Sequence, residues 1–146
     1  MAASHSVIAR RFSFVRETEG ANAGTWVSFF LRFTGNAEGE SWCASFVSMI
    51  NSIATKGKMT VARTASTITM LNDLRAKGRV VTTPAVDDLV FTVRSDGTPH
   101  HVGIVTAINP LTSIAGNTSS DGVSSNGDGV YEHAISPTNK VFARPI

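Results

Sequence analysis

The sequence of 146 residues contains a single cysteine, Cys43, and only 16% of its residues are charged. One cysteine excludes an internal disulfide and a zinc site built from several thiolates, so Cys43 is either a buried inert thiol or a reactive one. No apolar run approaches the roughly 20 residues that a membrane-spanning helix requires. An apolar fraction of 42% with so little charge argues against disorder. The sequence therefore predicts one globular domain over residues 1–146.

The net charge is small, because 13 basic and 11 acidic residues give a formal charge of +2. A balance this close to zero does not indicate a nucleic-acid partner. The positive charge is concentrated in residues 1–16 and 56–79. These stretches are either solvated surfaces or regions attracted to a polyanion such as a bacterial wall or a nucleic acid.

The N-terminal part of the sequence shows the spacing of apolar side chains that is typical of helices. A first helix is expected over residues 6–19, ending near Gly20, and a second helix between Asn22 as its cap and Gly35 as its end. The residues expected to face the core are Ile8, Phe12 and Val15 in the first helix and Val27, Phe30 and Leu31 in the second.

Two more helices are expected before Gly78. The third begins at Trp42 or Cys43, runs to Thr55 and is stopped at Gly57. The fourth has Thr64 or Ser66 as its cap. Its residues expected to face the core are Ile68, Leu71 and Leu74.

Beyond Gly78 the apolar spacing changes to the alternation that is typical of strands. A segment rich in Gly, Ser, Thr, Asn and Asp, residues 116–129, is expected to be an ordered loop because strands flank it. Helices followed by strands predict an α+β domain, in which N-terminal helices pack on a C-terminal antiparallel β-sheet. The expected strands are residues 89–93, 101–108, 112–115, 130–135 and 140–144.

Cys43 lies at the predicted junction between a loop and the third helix. The first backbone N–H groups of a helix have no intrahelical partner, and the helix dipole favours an anion there. Both effects would lower the pKa of a thiol and make Cys43 nucleophilic, and the same N–H groups could stabilise an oxyanion. The alternative is a buried, unreactive cysteine.

Two adjacent histidines open the strand that begins near residue 101. Alternation places His101 on the face of Gly103 and Val105, and His100 on the other face. A histidine held at the start of a strand could act as a general base toward a thiol, or it could be a hydrogen-bonded structural residue. The remaining histidines, His5 and His133, are expected at the surface.

Asn117 follows a predicted strand and could supply the third group of a nucleophile–base pair. An amide oxygen can fix the tautomer and orientation of an imidazole ring. The alternative is that Asn117 is a turn residue in a Gly/Ser-rich loop.

With Cys43, His101 and Asn117 in this order, the chain resembles the CHAP domain, a papain-like cysteine, histidine-dependent amidohydrolase/peptidase. The resemblance implies that Cys43 is the nucleophile, His101 rather than His100 the base and Asn117 the orienting residue. The matching blocks span residues 15–132 in family order, and the blocks at 42–47 and 101–105 are the most specific. The complete set of matching blocks is residues 22–24, 42–47, 63–66, 84–91, 101–105, 116–119 and 127–130.

The resemblance has two departures, at Ala115 and Asp87. The family often has Glu where Ala115 stands. It also often has Gly where Asp87 stands, and we expect this second departure to be a turn detail of little consequence. Some relatives bind calcium through an acidic loop, but Asp121 and Asp128 are too sparse to resemble it, so no metal and no cofactor is expected. Trp42 is expected to form a wall of the substrate cleft, or to be a core residue.

The function implied by the resemblance is hydrolysis of an amide bond in peptidoglycan, as an endopeptidase or an N-acetylmuramoyl-L-alanine amidase. Phage lysins and virion-associated lysins are members of this class, and the absence of a signal-like N-terminus suggests release through a holin or transport in the particle. The alternatives are an antibacterial amidase effector and a non-catalytic virion or wall-binding module. Peptidoglycan is the expected partner, with virion proteins as further partners and with neither nucleic acid nor membrane.

Overall fold

A computed structural model describes residues 4–119 and 127–146. In these residues it has the predicted α+β architecture, with four N-terminal helices packed on a six-stranded antiparallel sheet. The elements are α1 (His5–Arg10), α2 (Thr25–Phe33), α3 (Cys43–Ala54), α4 (Thr67–Ala76), β1 (Val80–Val81), β2 (Leu89–Val93), β3 (Pro99–Ile108), β4 (Leu111–Thr118), β5 (Gly129–Ala134) and β6 (Lys140–Ala143).

The strands are arranged in the order β1-β6-β2-β3-β4-β5. The last strand, β6, crosses over to lie between β1 and β2, so β3 and β4 lie inside the sheet with a partner on each side. The two-residue strand β1 was not predicted, because two residues are too few to show an alternation. It pairs with β6 at Val80 and Ala143.

Alternate residues of the sheet face two different apolar clusters, as the predicted alternation of β3 requires. Val102 and Ile104 belong to the main core, which includes buried side chains of all four helices. Val105 belongs to a smaller cluster with Val90 and Phe142. The helices therefore cover one face of the sheet, and the residues of β3 that share a face with Val105 point away from them.

The first helix is shorter than predicted, and the predicted cap of the second is wrong. α1 ends at Arg10, because the chain then turns and runs along β5, where Val130 N–H donates to the Val15 carbonyl at 3.1 Å. Residues 11–14 form turns, and pairing with the sheet replaces helix formation from Val15 to Glu17. The N-cap of α2 is Gly24, whereas Asn22 has φ 54° and donates from Nδ2 to the Gly39 carbonyl.

The third and fourth helices end as predicted. Gly57 and Gly78 adopt positive φ angles just after α3 and α4, which is a conformation that glycine adopts without steric cost. Ser66 caps α4 by accepting from the Thr69 N–H at 3.1 Å. The predicted core position of Ile68 is wrong, since Ile68 is 47% exposed and Met70 is buried in its place.

No helix in the described part of the chain is both long enough and apolar enough to cross a membrane. The predicted loop at 116–129 begins later than expected, because β4 continues through Thr118. Residues 120–126 of that loop lie outside the described residues.

Candidate active site

Cys43 is the first residue of α3 and lies in the main core, where it is 4% exposed. Trp42, its N-cap, is fully buried and provides no side-chain cap. The helix start that the sequence predicted for Cys43 is therefore present. The first-turn amide groups of α3 are available to a group at this position.

The Trp42 ring fixes the start of α3 through contacts on several sides. Its Nε1 donates to Glu17 Oε2 at 2.9 Å, and the ring stacks on Phe30 with 5.9 Å between centroids. Gly116 of β4 lies against the opposite part of the indole, since a Cβ there would come within 2.6 Å of Trp42 Cζ3. Of the two roles considered for Trp42, a fully buried ring favours core packing over contact with a substrate.

The Cys43 thiol lies beside the backbone N–H of Val102, which is part of the peptide bond that joins His101 to Val102. The structure therefore brings the predicted nucleophile to the backbone of the predicted base. Val102 lies two residues before Ile104, which pairs with Ile114 at the end of the β3–β4 register. If this register continued for three residues, back along β3 and forward along β4, His101 would lie opposite Asn117.

The pKa of the Cys43 thiol differs from the sequence prediction. Burial raises this pKa, and the backbone N–H groups of Val102, Ala44 and Cys43 oppose the increase only in part. The predicted lowering is wrong because the core encloses the helix start. Removal from water destabilises the thiolate more than the hydrogen bonds from these amides stabilise it. The resting thiol is protonated at neutral pH.

His101 is a neutral imidazole at rest. Burial, together with the weaker electrostatic effect of His100, His133 and Lys140, lowers its pKa to about 4. Its Nδ1 atom is buried without a hydrogen-bond partner among the described residues. Regular alternation puts the His101 side chain on the face of Val105, which the helices do not cover, whereas Cys43 belongs to the core on the other face of the sheet.

Asn117 lies at a β-bulge. Residues 116 and 117 of β4 together face residue 130 of β5, because the register shifts between Ala115 and Thr118. A bulge interrupts the alternation of side chains and can re-aim one of them, and Asn117 has φ 54°. Its side chain is buried, and neither Oδ1 nor Nδ2 has a hydrogen-bond partner within residues 4–119 and 127–146.

The three predicted residues therefore converge through their backbones, while their side chains are not hydrogen-bonded to one another. The Cys43 thiol lies at the peptide bond that follows His101. Gly116, which precedes Asn117, packs against the ring of Trp42, which precedes Cys43. Buried polar atoms without partners are rare in folded proteins, and here they belong to two of the three predicted residues. Such atoms are typical of a site that a ligand or a changed rotamer completes.

The other histidines differ in their surroundings. His100 is partly buried, and burial followed by the charges of Arg94 and Lys140 lowers its pKa. The prediction of a surface position is wrong for His5, which is 2% exposed and contacts Asn51 through Nε2 at 2.9 Å. The ring nitrogens of His133 are also buried.

No group of three or more His, Cys, Asp or Glu side chains is placed to hold a metal ion in the parts of the chain that the structure describes. The carboxylate of Asp128 accepts from the Tyr131 hydroxyl at 2.7 Å, and Asp121 lies outside the described residues.

Asp87 has a role that the sequence reasoning missed. Its carboxylate accepts from the Ser6 N–H and from the Ser4 hydroxyl, both at 2.8 Å, and so anchors the start of α1 to the loop before β2. Asp87 adopts φ 79°, which explains why glycine is frequent at the matching position in the family that the chain resembles. The expectation that Asp87 is a turn detail of little consequence is wrong. Its role is visible only in the tertiary contact with Ser4 and Ser6.

Comparisons of the chain with protein-family models, with curated proteins and with solved structures find no match. The likeness to CHAP domains thus rests on the sequence blocks given above.

Proposed function

We propose that the chain is a cysteine-dependent amidohydrolase/peptidase that cleaves an amide bond in peptidoglycan, as its resemblance to CHAP domains implies. One observation supports this proposal above the others. The only thiol of the chain lies at the start of a helix and against the peptide bond that follows His101. A nucleophile, a base and backbone amide donors are the minimum that acyl transfer requires, and here the thiol, the amide donors and the backbone of the base share one region.

In the proposed reaction the Cys43 sulfur attacks the carbonyl carbon of the substrate amide, while His101 accepts the thiol proton. The Cys43 backbone N–H stabilises the developing oxyanion. His101 then returns the proton to the departing amine, which leaves a thioester on Cys43. A water molecule, deprotonated by His101, hydrolyses the thioester and releases the carboxylic acid. Asn117 orients the imidazole through its side-chain oxygen.

The neutral resting state fits this sequence of steps. A protonated thiol and a neutral imidazole form a thiolate–imidazolium pair only when the proton moves, and each charge then stabilises the other. Catalytic hydrogen bonds are often long in the free enzyme and shorten when the substrate binds. The unpartnered Nδ1 of His101 leaves one ring nitrogen free to accept that proton.

The test is a zymogram with purified bacterial cell walls, comparing the parent chain with Cys43→Ser and Cys43→Ala. We expect a cleared band for the parent and none for either variant, with unchanged far-UV circular dichroism. New amino groups in the digest would indicate peptide-bond cleavage, and new reducing ends would indicate cleavage of the glycan instead. Clearing by Cys43→Ala would contradict the proposal.

A second candidate function is a non-catalytic wall-binding or virion module that keeps the fold. Two observations favour it: burial raises the pKa of Cys43, and the His101 and Asn117 side chains are not hydrogen-bonded to each other. Such a module would sediment with purified walls but release no product. For the catalytic candidate, delivery by a phage particle, release through a holin and use as an antibacterial effector all imply the same chemistry.

A further inference from the structure

The outer face of α2 contains a cavity of about 320 Å³ that lies outside the proposed active site. Thr25, Trp26, Phe29 and Arg32 line it. The buried face of the same helix packs on the core, so these four side chains project outward from a supported element. Trp26 is 39% exposed and Phe29 is 51% exposed, although large apolar side chains are usually covered.

Two aromatic rings form a corner in this cavity. The centroids of Trp26 and Phe29 are 5.9 Å apart, and the ring planes meet at 81°. Ligand pockets usually have volumes of about 300–1,000 Å³, so this cavity suits one ring-sized group rather than a long peptide. An aromatic corner with a few polar groups at its edge fits a molecule that has one apolar face and several oxygen atoms.

Arg32 supplies the charge of the site. Its side chain has no carboxylate or hydrogen-bond partner among residues 4–119 and 127–146, and Thr25 is the other polar residue that lines the cavity. A guanidinium group offers five donors and binds carboxylates in a bidentate manner. A ligand with a carboxylate attached to a ring would therefore complement both the rings and the charge.

We infer that this cavity binds a muramic acid residue whose lactyl carboxylate is free, as in a glycan strand without its peptide. The inference rests on the proposed function, because cleavage of the amide between sugar and peptide produces that carboxylate. The sugar ring stacks on Trp26 or Phe29, and the carboxylate pairs with Arg32. The site thus holds the product strand of an amidase reaction close to uncut stems.

The cavity is joined to the start of α3 by ring contacts. Trp26 and Phe30 have centroids 6.3 Å apart, and Phe30 and Trp42 have centroids 5.9 Å apart. Trp42 directly precedes Cys43. Two ring contacts therefore link the cavity wall to the residue that precedes the thiol.

The test uses the Cys43→Ala chain, titrated with N-acetylmuramic acid and with N-acetylglucosamine, which has the same ring but no carboxylate. Binding is followed by the indole and backbone amide signals of Trp26 in NMR spectra. We expect N-acetylmuramic acid to bind roughly fivefold more tightly, which corresponds to about 1 kcal/mol. Arg32→Gln should remove this preference, and Phe29→Ala should weaken the binding of both sugars.

The matched control is Ile68→Ala, which removes an apolar side chain of similar exposure from α4. It should bind both sugars as the parent does. Equal binding of the two sugars, or a preference unchanged in Arg32→Gln, would overturn the inference. Binding to vesicles of anionic phospholipid that depends on Phe29, without binding to either sugar, would overturn it in favour of a membrane surface.

The outcomes for this site and for the proposed function are separable. Sugar binding is measured on a chain that lacks Cys43, so it does not require hydrolysis. If the parent fails to hydrolyse walls but the sugar preference is present, the cavity is a wall-binding site of a non-catalytic module. If hydrolysis is present and the preference is absent, only the inference about the cavity fails.

Discussion

Gly116 lies against the indole ring of Trp42, so closely that a Cβ on Gly116 would be 2.6 Å from Cζ3 and 2.8 Å from Cε3. The same Cβ would be 3.0 Å from the Cβ of Phe46. Only a residue without a side chain lets β4 approach the first turn of α3 at this distance. This contact sets the position of Cys43 relative to the strand that contains Asn117.

We therefore predict that Gly116→Ala destabilises the fold by about 1–3 kcal/mol, because the ring and the backbone must separate. The urea midpoint measures this loss. The double variant Gly116→Ala with Trp42→Phe should lose less stability than the sum of the losses of the two single variants, because the smaller ring makes room for the added Cβ. Strict additivity of the two changes would mean that the strand and the ring do not constrain each other.

The single cysteine makes the state of the thiol directly measurable. Because burial raises the pKa of Cys43, we predict that iodoacetamide labels the folded chain with a pH midpoint above the ordinary value of about 8.5. The chain unfolded in urea should show the ordinary midpoint, and it is the control. A raised thiol pKa in the folded state also implies that stability decreases as the pH rises above that of the unfolded thiol. A midpoint below 8.5 that disappears in His101→Ala would instead indicate an ion pair at rest.

The adjacent histidines should differ in their effect on wall hydrolysis. We predict that His101→Ala removes turnover, whereas His100→Ala retains most of it, because the thiol lies at the peptide after His101. The rate of turbidity loss of purified walls measures both variants. The opposite ranking would show that His100 is the base, and equal mild losses would support the non-catalytic module.

The His101 variant has a second readout. Burial lowers the pKa of His101 to about 4 in the folded chain, so the unfolded chain binds more protons below a pH of about 6.5. The folded state of the parent should therefore lose stability as the pH falls from about 6.5 toward 4, by at most about 3 kcal/mol. His101→Gln should show a smaller loss over this range in urea titrations.

Asn117 should be required for turnover and dispensable for folding. We predict that Asn117→Gly lowers wall hydrolysis at least tenfold, because the imidazole loses its orienting group. Glycine is chosen because the residue has φ 54°, where alanine would add backbone strain. Since both polar atoms of Asn117 are buried without partners, the variant should keep the thermal stability of the parent. Full activity in Asn117→Gly would identify it as a turn residue.

Asp87 should stabilise the N-terminal helix. We predict that Asp87→Ala lowers the free energy of unfolding by about 1–3 kcal/mol, because the Ser6 N–H and the Ser4 hydroxyl lose their acceptor. Asp87→Gly should be about 1 kcal/mol more stable than Asp87→Ala, since glycine adopts φ 79° without strain. Chemical denaturation at pH 7 measures both variants.

The same carboxylate gives a dependence on pH. Burial by itself raises the pKa of Asp87, but the hydrogen bonds from Ser6 and Ser4 and the nearby His5 together hold it below its usual range. The stabilisation is therefore present above a pH of about 4 and is lost as the pH falls further. Asp87→Asn should remove this dependence, and a parent-like acid transition in that variant would contradict the assignment.

The sequence by itself determined the fold class, because helical and alternating apolar spacings occupy separate halves of the chain. It also determined the ends of α3 and α4, since Gly57 and Gly78 stand where positive φ angles are needed. The start of α3 at Trp42 or Cys43 followed from the loop that precedes the apolar run. These features depend on local preferences, which a sequence expresses directly.

Only the tertiary structure decided the features that depend on contacts between distant segments. The helix does not continue to residue 19 because Val15 and Glu17 bond to residues 128–130 at the sheet edge, and Asp87 is important because it accepts from the Ser6 N–H. The pKa of Cys43 is raised because the core encloses a helix start that would otherwise favour an anion. Periodicity and local charge contain no information about which surfaces pack together, and the desolvation of a titratable side chain depends on that packing.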